Sequence, residues 1–266
     1  MKQQKVIIIT GTSSGIGLTL AEYFGKKGHK VYGLSRKQTE SDLFTSISTD
    51  ITDKHQIDNA IQKILEKEQK IDILINNAGM GMVGAVEDAT KEEITKLFNL
   101  NLIGVVQMMT AVMPKMRERK SGQIINISSI GSEMGLPFRG FYSASKSALD
   151  KVTEAIRYEV FHWNIQVCSL HLGDIKTNIA ENRVKSNISQ AYQDIFNKVY
   201  STMNAHVNSG DAPEKVAEYI EKLLNKPQWK AHYYFGKFGQ KIGIPLKWFL
   251  PQNFYEKLMK KYNNMD

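Results

Sequence analysis

Tyr142 and Lys146 stand four residues apart at the start of a long helical pattern, which puts a phenol and an ammonium on one helix face. A free phenol ionises only near pH ~10, and a neighbouring cation favours the phenolate. That moves the group toward working pH, as a general acid/base requires. Ser129 lies thirteen residues before Tyr142, ending the run Ile124-Ile125-Asn126-Ile127-Ser128, where its hydroxyl would face the same cleft. A Tyr and a Lys at this spacing are more often an exposed pair, so the serine is what makes them catalytic candidates.

A second constellation is Thr10-Gly11-Thr12-Ser13-Ser14-Gly15-Ile16-Gly17, which follows an apolar strand and opens a helix running toward Phe24. Gly11, Gly15 and Gly17 permit a tight turn and a close backbone approach. The amides from Thr12 to Ile16, at a helix N-terminus, suit a dinucleotide pyrophosphate. A plain glycine-rich turn is the bland alternative, and the flanking strand and helix weigh against it. At the end of the second strand, where an acid would meet the ribose hydroxyls of NAD, the chain has Leu34-Ser35-Arg36-Lys37. A hydroxyl on Ser35 and cations on Arg36 and Lys37 suit a 2′-phosphate, so NADP(H) is expected over NAD(H).

These residues need elements to hold them. Strands are predicted at Lys5–Thr10, Lys30–Ser35, Ser46–Asp50, Ile71–Ile75, Gly122–Ser128, Ile165–His171 and Ala231–Phe235. Helical periodicity fills the gaps, as in Ile57, Ile61, Ile64, Leu65 and in Val152, Ile156, Tyr158, Val160. Asp211-Ala212-Pro213-Glu214 reads as a helix start with Asp211 as its cap. The alternation implies an α/β fold, a doubly wound parallel sheet of about seven strands. No repeat or flexible linker divides it, so residues 1–266 are expected to form a single domain. Residues 178–210 interrupt the alternation after the sixth strand and read as a substrate lid. Its apolar Ile188, Tyr192, Ile195, Phe196, Val199 and Tyr200 suit either an apolar substrate or the buried faces of two helices.

The sequence resembles the short-chain dehydrogenase/reductase family over roughly residues 5–225. The resembling stretches are Thr10–Gly17, Asp50-Ile51-Thr52-Asp53, Asn76-Asn77-Ala78-Gly79, Asn99–Gly104, Ile127-Ser128-Ser129, Tyr142–Lys146 and Gly173-Asp174-Ile175-Lys176-Thr177, in that order. The resemblance implies a Rossmann-type fold and hydride transfer between NADP(H) and a carbonyl/alcohol pair. It makes Tyr142 the acid/base, Lys146 the ribose ligand that lowers the phenol's pKa, and Ser129 the partner of the substrate oxygen. Asn101 would hold a water linking Lys146 to solvent. Asp50 and Ile51 would meet the adenine, Asn77, Ala78 and Gly79 would line the cofactor cleft, and Gly173, Ile175 and Thr177 would flank the nicotinamide. The family usually has proline where this chain has Leu172, which implies a more mobile loop there. Met134-Gly135-Leu136-Pro137-Phe138 resembles the matching stretch of 17-beta-hydroxysteroid and retinol dehydrogenases, which implies an apolar steroid-, retinoid- or lipid-like substrate.

Other chemistries fit poorly. Ser143-x-x-Lys146 matches a serine–lysine hydrolase motif, but the Ser-Asp-Asn and Lys-Thr-Gly elements of that class are missing. The six histidines are scattered, with no His-Glu-x-x-His, so no metal is expected. His171 reads as a strand-end histidine satisfied by neighbours. A non-catalytic NADP-binding regulator on the same fold would be expected to lose part of the Ser-Tyr-Lys set, and none is lost.

Lys plus Arg number 35 against 27 Asp plus Glu, a net +8 that would suit nucleic acid if it were spread over one face. It is concentrated instead: residues 226–266 hold eight lysines against Glu256 and Asp266, interleaved with ten aromatics. No nucleic-acid partner is expected. The tail reads as a helix beside the cleft or subunit interface, or as a loose contact with anionic lipid, with Phe254, Leu258, Met259 and Tyr262 on one face. The lone Cys168, in an apolar run, reads as a buried inert thiol, and no leader or membrane span is visible, so a cytoplasmic protein is expected. The resemblance implies a homodimer or homotetramer built on the helices around residues 95–118 and 142–162. If Arg36 reads a 2′-phosphate, Arg36→Asp should weaken NADPH binding far more than NADH binding in fluorescence titrations, and equal losses would refute the assignment.

Overall fold

Val6-Ile7-Ile8-Ile9 carries apolar side chains on both sides of an extended chain, so this strand needs cover on both faces. The computed structural model describes residues 4–177 and 183–265, and in it β1 (Val6–Thr10) is buried at every position. The other strands are β2 (Lys30–Ser35), β3 (Thr45–Ser48), β4 (Ile73–Asn76), β5 (Met82–Val83), β6 (Gly122–Ser129), β7 (Ile165–Leu172), β8 (Val184–Lys185) and β9 (His232–Phe235). Seven of them form one parallel sheet in the order β3-β2-β1-β4-β6-β7-β9. The order reverses between β1 and β4, and a crevice opens there at the carboxyl ends of the strands. The doubly wound sheet expected from the alternation is present, with strand ends displaced by one or two residues.

The nine helices among the described residues are α1 (Gly15–Lys26), α2 (Lys54–Glu68), α3 (Lys91–Phe98), α4 (Val105–Glu118), α5 (Gly140–Glu159), α6 (Gln193–Asn208), α7 (Pro213–Leu224), α8 (Phe238–Phe249) and α9 (Gln252–Tyr262). Leu20 and Phe24 of α1 and Val216 and Ile220 of α7 pack on Ile7 and Ile9. Ile57 and Ile61 of α2, Met108 and Val112 of α4 and Leu149 of α5 pack on Val6 and Ile8, the opposite face. Cys168 lies wholly inside the first of these layers, and burial pushes its thiol pKa up, so it is the inert thiol expected. The helical run from Lys91 to Glu118 is long and apolar enough to cross a membrane, but it is built into the core on its α4 side.

Two expectations, the Asp211 cap and the shared face of α9, are corrected. Asp211 does not cap α7; Ala212 occupies the N-cap, and the Asp211 carboxylate accepts from Lys215 Nζ at 3.0 Å while its backbone bridges Ile175. Pro213 does take the first turn, and its fixed φ is what selects the start. Within the lid segment, residues 178–182 lie outside the described residues, and the remainder is ordered: β8 pairs with β5, and Phe196 and Met203 of α6 pack on Val83. In the tail, Tyr255 and Asn263 are the inward residues of α9, Met259 is half-buried, and Phe254 is exposed.

Asp72 ties three strands together at the amino edge of the sheet. Its carboxylate accepts from Val6 N at 2.8 Å and pairs with Lys70 at 2.8 Å and Arg119 at 3.2 Å. Burial raises the carboxyl's pKa, but these donors outweigh it and hold the group below its ordinary range. A depressed folded-state pKa contributes stability above the unfolded value and loses it as pH falls. Asp72→Asn should therefore cost about 2 kcal/mol in urea unfolding at pH ~7, and the deficit should narrow as pH falls below about 4.

Candidate active site

The glycine-rich turn is shaped by close contact. Gly11 and Gly15 have φ of +76° and +57°, the left-handed region that favours glycine. A Cβ on Gly17 would collide with the Gly11 carbonyl oxygen, so α1 can approach β1 only with glycine there. Thr10 Oγ1 accepts from the amides of Asn77 and Ala78 at 3.0 and 2.9 Å, and Asn77 Nδ2 donates to Thr10 O at 3.0 Å. This seam locks the ends of β1 and β4 side by side. Ser14, the N-cap of α1, makes no side-chain capping bond, which leaves the first-turn amides open. Open amides, a positive helix end and a glycine cradle fit a dinucleotide pyrophosphate.

One cleft of roughly 1610 Å³ runs across the carboxyl ends of the strands. Gly11, Ser13, Ser14, Gly15, Ile16, Ser35, Arg36, Asp50, Ile51, Asn77, Ala78, Gly79, Ser129, Tyr142, Lys146, Gly173, Ile175 and Thr177 all line it. Three of the predicted residues do not. Thr12 is buried over Gly33, Gly17 lies under the turn, and Asn101 sits behind Gly79. Asn101 lies in a π-helical stretch, Asn99–Gly104, between α3 and α4. Its side chain clips the backbone of Met80 in both directions at 2.9 Å and donates to Ser145 Oγ at 3.2 Å. Asp50 Oδ1 accepts from the amide and hydroxyl of Thr52 at 2.9 and 2.8 Å, which fixes its carboxylate at the cleft's rim.

At the centre, Ser129 and Tyr142 line the cleft together, the serine favouring the ionised phenol, and Lys146 Nζ donates to Ile127 O at 2.8 Å. Tyr142 keeps some open surface toward the cleft and is enclosed by protein elsewhere. The expected fall in its pKa is reversed. Burial is the dominant influence and raises it, while Ser129 and the charges of Arg139 and Arg183 pull it down. The cations acting on the phenol here are thus the two arginines, with Lys146 engaged by the β6 carbonyl. Lys146 is buried too, and burial pushes its pKa down to about 8, against an opposing pull from Asp150. Such a phenol stays protonated at neutral pH, the state a proton donor to a carbonyl oxygen requires.

Leu172 does not loosen the nicotinamide-side loop. It is buried and paired with Phe235 in β9, Gly173 N donates to Phe235 O at 2.7 Å, and Gln240 of α8 bonds the Asp174 carboxylate. A proline would lack the strand N–H that leucine retains. His171 is the satisfied histidine expected: Nδ1 lies 3.0 Å from Ser132 Oγ, Nε2 lies 2.9 Å from His232 Nδ1, and burial keeps the ring neutral. Glu133, His171 and His232 bring possible ligand atoms within 4.8 Å of one another, but those atoms are engaged with each other and with Tyr234, whose hydroxyl donates to Glu133 at 2.8 Å.

Among the cleft residues that sequence reasoning missed are Arg139 and Arg183. Arg139 directly precedes α5, three residues before Tyr142, a position that could have drawn notice. Arg183 carried no signal, because the chain returns it to the cleft only through the β5–β8 pairing.

A dinucleotide cradle at the switch point and a buried Ser-Tyr-Lys cluster beyond it define a nucleotide-dependent oxidoreductase. The comparisons agree. The short chain dehydrogenase family model matches residues 5–188, and the chain belongs to that family. It is 37% identical to a 3-ketodihydrosphingosine reductase of Bacteroides thetaiotaomicron, covering 97% of each chain. The fold superposes on a short-chain dehydrogenase structure from Streptomyces avermitilis with a TM-score of 0.84, at 29% identity and full coverage of both chains. A short chain dehydrogenase of Burkholderia cenocepacia, solved in complex with NADP, matches with a TM-score of 0.73 at 26% identity, covering 92% of this chain and 93% of that one. The protein is an oxidoreductase acting on a CH–OH/carbonyl pair with a nicotinamide cofactor.

The two lysine and tyrosine shifts set the pH behaviour. Tyr142 stays protonated throughout the neutral range, so the alkaline limb of carbonyl reduction should report Lys146, whose ammonium is lost as pH rises through about 8. Lys146→Arg, charged at every accessible pH, should lower kcat while moving that limb up by more than about one pH unit. A limb left in place by the substitution would assign it to another group.

Proposed function

We propose that this chain is an NADPH-preferring reductase of a lipid-like ketone. The observation that carries the reading is one continuous cleft with different chemistry at its two ends. Ser35, Arg36 and Lys37 stand at the adenosine end, where a 2′-phosphate would meet them. Met134, Leu136, Leu246, Leu258 and Met259 wall the end beyond Tyr142. The nicotinamide supplies the hydride when bound. The chain's own work is to hold the carbonyl oxygen on Ser129 and Tyr142, pass the Tyr142 proton to that oxygen, and keep bulk water out. The lipid-like substrate draws support from the named activity of the Bacteroides relative.

The tail fits the same reading. On α8, Phe238, Ile242, Pro245 and Phe249 follow one another at helical spacing along the exposed side, and Trp248 flanks them. Phe238, Trp248 and Phe249 are 76%, 77% and 84% exposed. Lys241 on the same helix and Lys257, Lys260 and Lys261 on α9 are also exposed, and Lys261 lines the cleft. An apolar stripe accompanied by exposed lysines is suited to shallow insertion into an anionic lipid surface, giving a cytoplasmic enzyme access to a dissolved substrate. Exposed Tyr158 and Phe161 at the end of α5 favour a homo-oligomer through α4 and α5.

The activity is tested by NADPH consumption on a panel of long-chain and short ketones. Turnover should favour long chains and drop by at least about a thousandfold in Tyr142→Phe. Cofactor binding without turnover of any ketone would point to a regulator instead. Membrane contact is tested by flotation with phosphatidylglycerol-containing and pure phosphatidylcholine vesicles. Binding should need the anionic lipid, weaken with salt, and fall at least about tenfold in the Trp248→Ser, Phe249→Ser double variant. No binding at low salt would end that part of the reading.

A further inference from the structure

Arg139 and Arg183 face the same stretch of cleft as Tyr142. Arg139 Nε is shut off from solvent and has no hydrogen-bond partner, and the guanidinium has no ion-pair partner among the described residues. A guanidinium carries five donors, cannot discharge itself, and is costly to leave unpaired away from water. Arg183 uses one donor, Nη1 to Asn204 Oδ1 at 2.8 Å, and lies across Gly81 beside the cleft. Burial lowers both pKa values, and the charge of Arg183 adds to the fall at Arg139. Asp174 is the nearest acid felt by both, and its carboxylate is already bonded by Gln240. One acid against two guanidinium groups leaves a net positive charge facing the cleft, which favours an anion.

We infer that Arg139 and Arg183 bind an oxyanion group of the substrate, a phosphate or carboxylate carried close to the carbonyl that Tyr142 protonates. The planar guanidinium fork accepts such a group bidentately. Arg139 is three residues from Tyr142 on the same helix entry, so the anion and the reacting carbonyl lie near each other in the molecule. The apolar wall of Met134, Leu136, Leu246 and Leu258 takes the chain. The substrate class is therefore an anionic long-chain ketone. This rests on the ketone-reductase reading above.

The test uses long-chain ketones of equal length carrying, next to the carbonyl, a phosphate, a carboxylate, a methyl ester or a trimethylammonium group. The better of the two anions should exceed the ester in kcat/KM by at least about tenfold, and the phosphate and carboxylate arms identify which oxyanion is preferred. The ammonium compound should be the poorest. Arg139→Gln should bring the anion-to-ester ratio to about one, chiefly through KM, with Arg139→Lys recovering part of it. Equal losses on anion and ester would mark a structural role and overturn the inference, as would an ester or ammonium compound used as well as the anions. Calorimetry with a long-chain alkyl phosphate, which has no carbonyl, separates the two readings. Binding lost in Arg139→Gln, with no ketone reduced, would sink the reductase and keep the anion site. Failure of the alkyl phosphate to bind the wild-type protein would sink the anion site even if neutral ketones are reduced.

Discussion

The site depends on a short chain of buried hydrogen bonds that fixes α5 to the middle of the sheet. Asn76 Nδ2 at the end of β4 donates to Asn126 Oδ1 in β6 at 2.9 Å, and Asn126 Nδ2 donates to Thr153 Oγ1 in α5 at 2.8 Å. All three residues are fully or nearly fully buried, where an unmet polar group would cost more than any of these bonds returns in water. The chain therefore sets both the height and the rotation of α5 against β6. Ser129 ends β6 and Tyr142 lies in the first turn of α5, so these side-chain bonds between β4, β6 and α5 bring the two residues to one part of the cleft. On the other side of β4, the Thr10–Asn77 seam does the same for the cofactor cradle.

Electrostatics then decides what the positioned groups can do. Tyr142 and Lys146 are both enclosed, and enclosure penalises the charged form of each, raising the phenol and lowering the ammonium. The two shifts move the groups apart, so the proton stays on the tyrosine oxygen and passing it from tyrosine to lysine costs more than in water. Arg139 and Arg183 keep the phenol from rising further. An anion seated between them would partly cancel that help, so a substrate that binds there trades some acid strength for position. Position is the larger effect, because a carbonyl held against the donor gains far more than a modest change in driving force removes.

Much of this was legible in the chain. Glycine spacing after a β-branched strand, a phenol and an ammonium at one helix turn, and alternating periods gave the sheet, the cradle and the catalytic cluster, since each rests on local geometry. What was not legible depends on contacts between distant segments. Asp211 looks like a cap, but its backbone is claimed by Ile175 and its side chain by Lys215. Leu172 looks like a loosened loop, but Phe235 and Gln240 come from the far end of the chain to hold it. Arg183 reaches the cleft through a two-residue strand pairing too short to leave a pattern. The opposite shift of Tyr142 was hidden for the same reason: the lysine was visible in the sequence, the burial was not.

The uneven charge of the chain finds its place in this arrangement. The basic tail adds β9 to the edge of the sheet, and its α8 and α9 form one wall of the cleft's mouth, with Gln240 reaching the nicotinamide-side loop and Tyr255 closing over Met134. A helix that lines a cleft with one side would ordinarily bury or polarise the other. Here α8 carries aromatic residues outward and exposed lysines as well. The inner contact of α8 is made by Gln240, which bonds the Asp174 carboxylate, and the outward aromatics take no part in it. The outward aromatics and the inward arginines answer two parts of one molecule: a chain soluble in lipid and a head group that is not. Lysines at the rim and arginines at the base would draw an anionic amphiphile in head first, leaving its chain along the apolar wall.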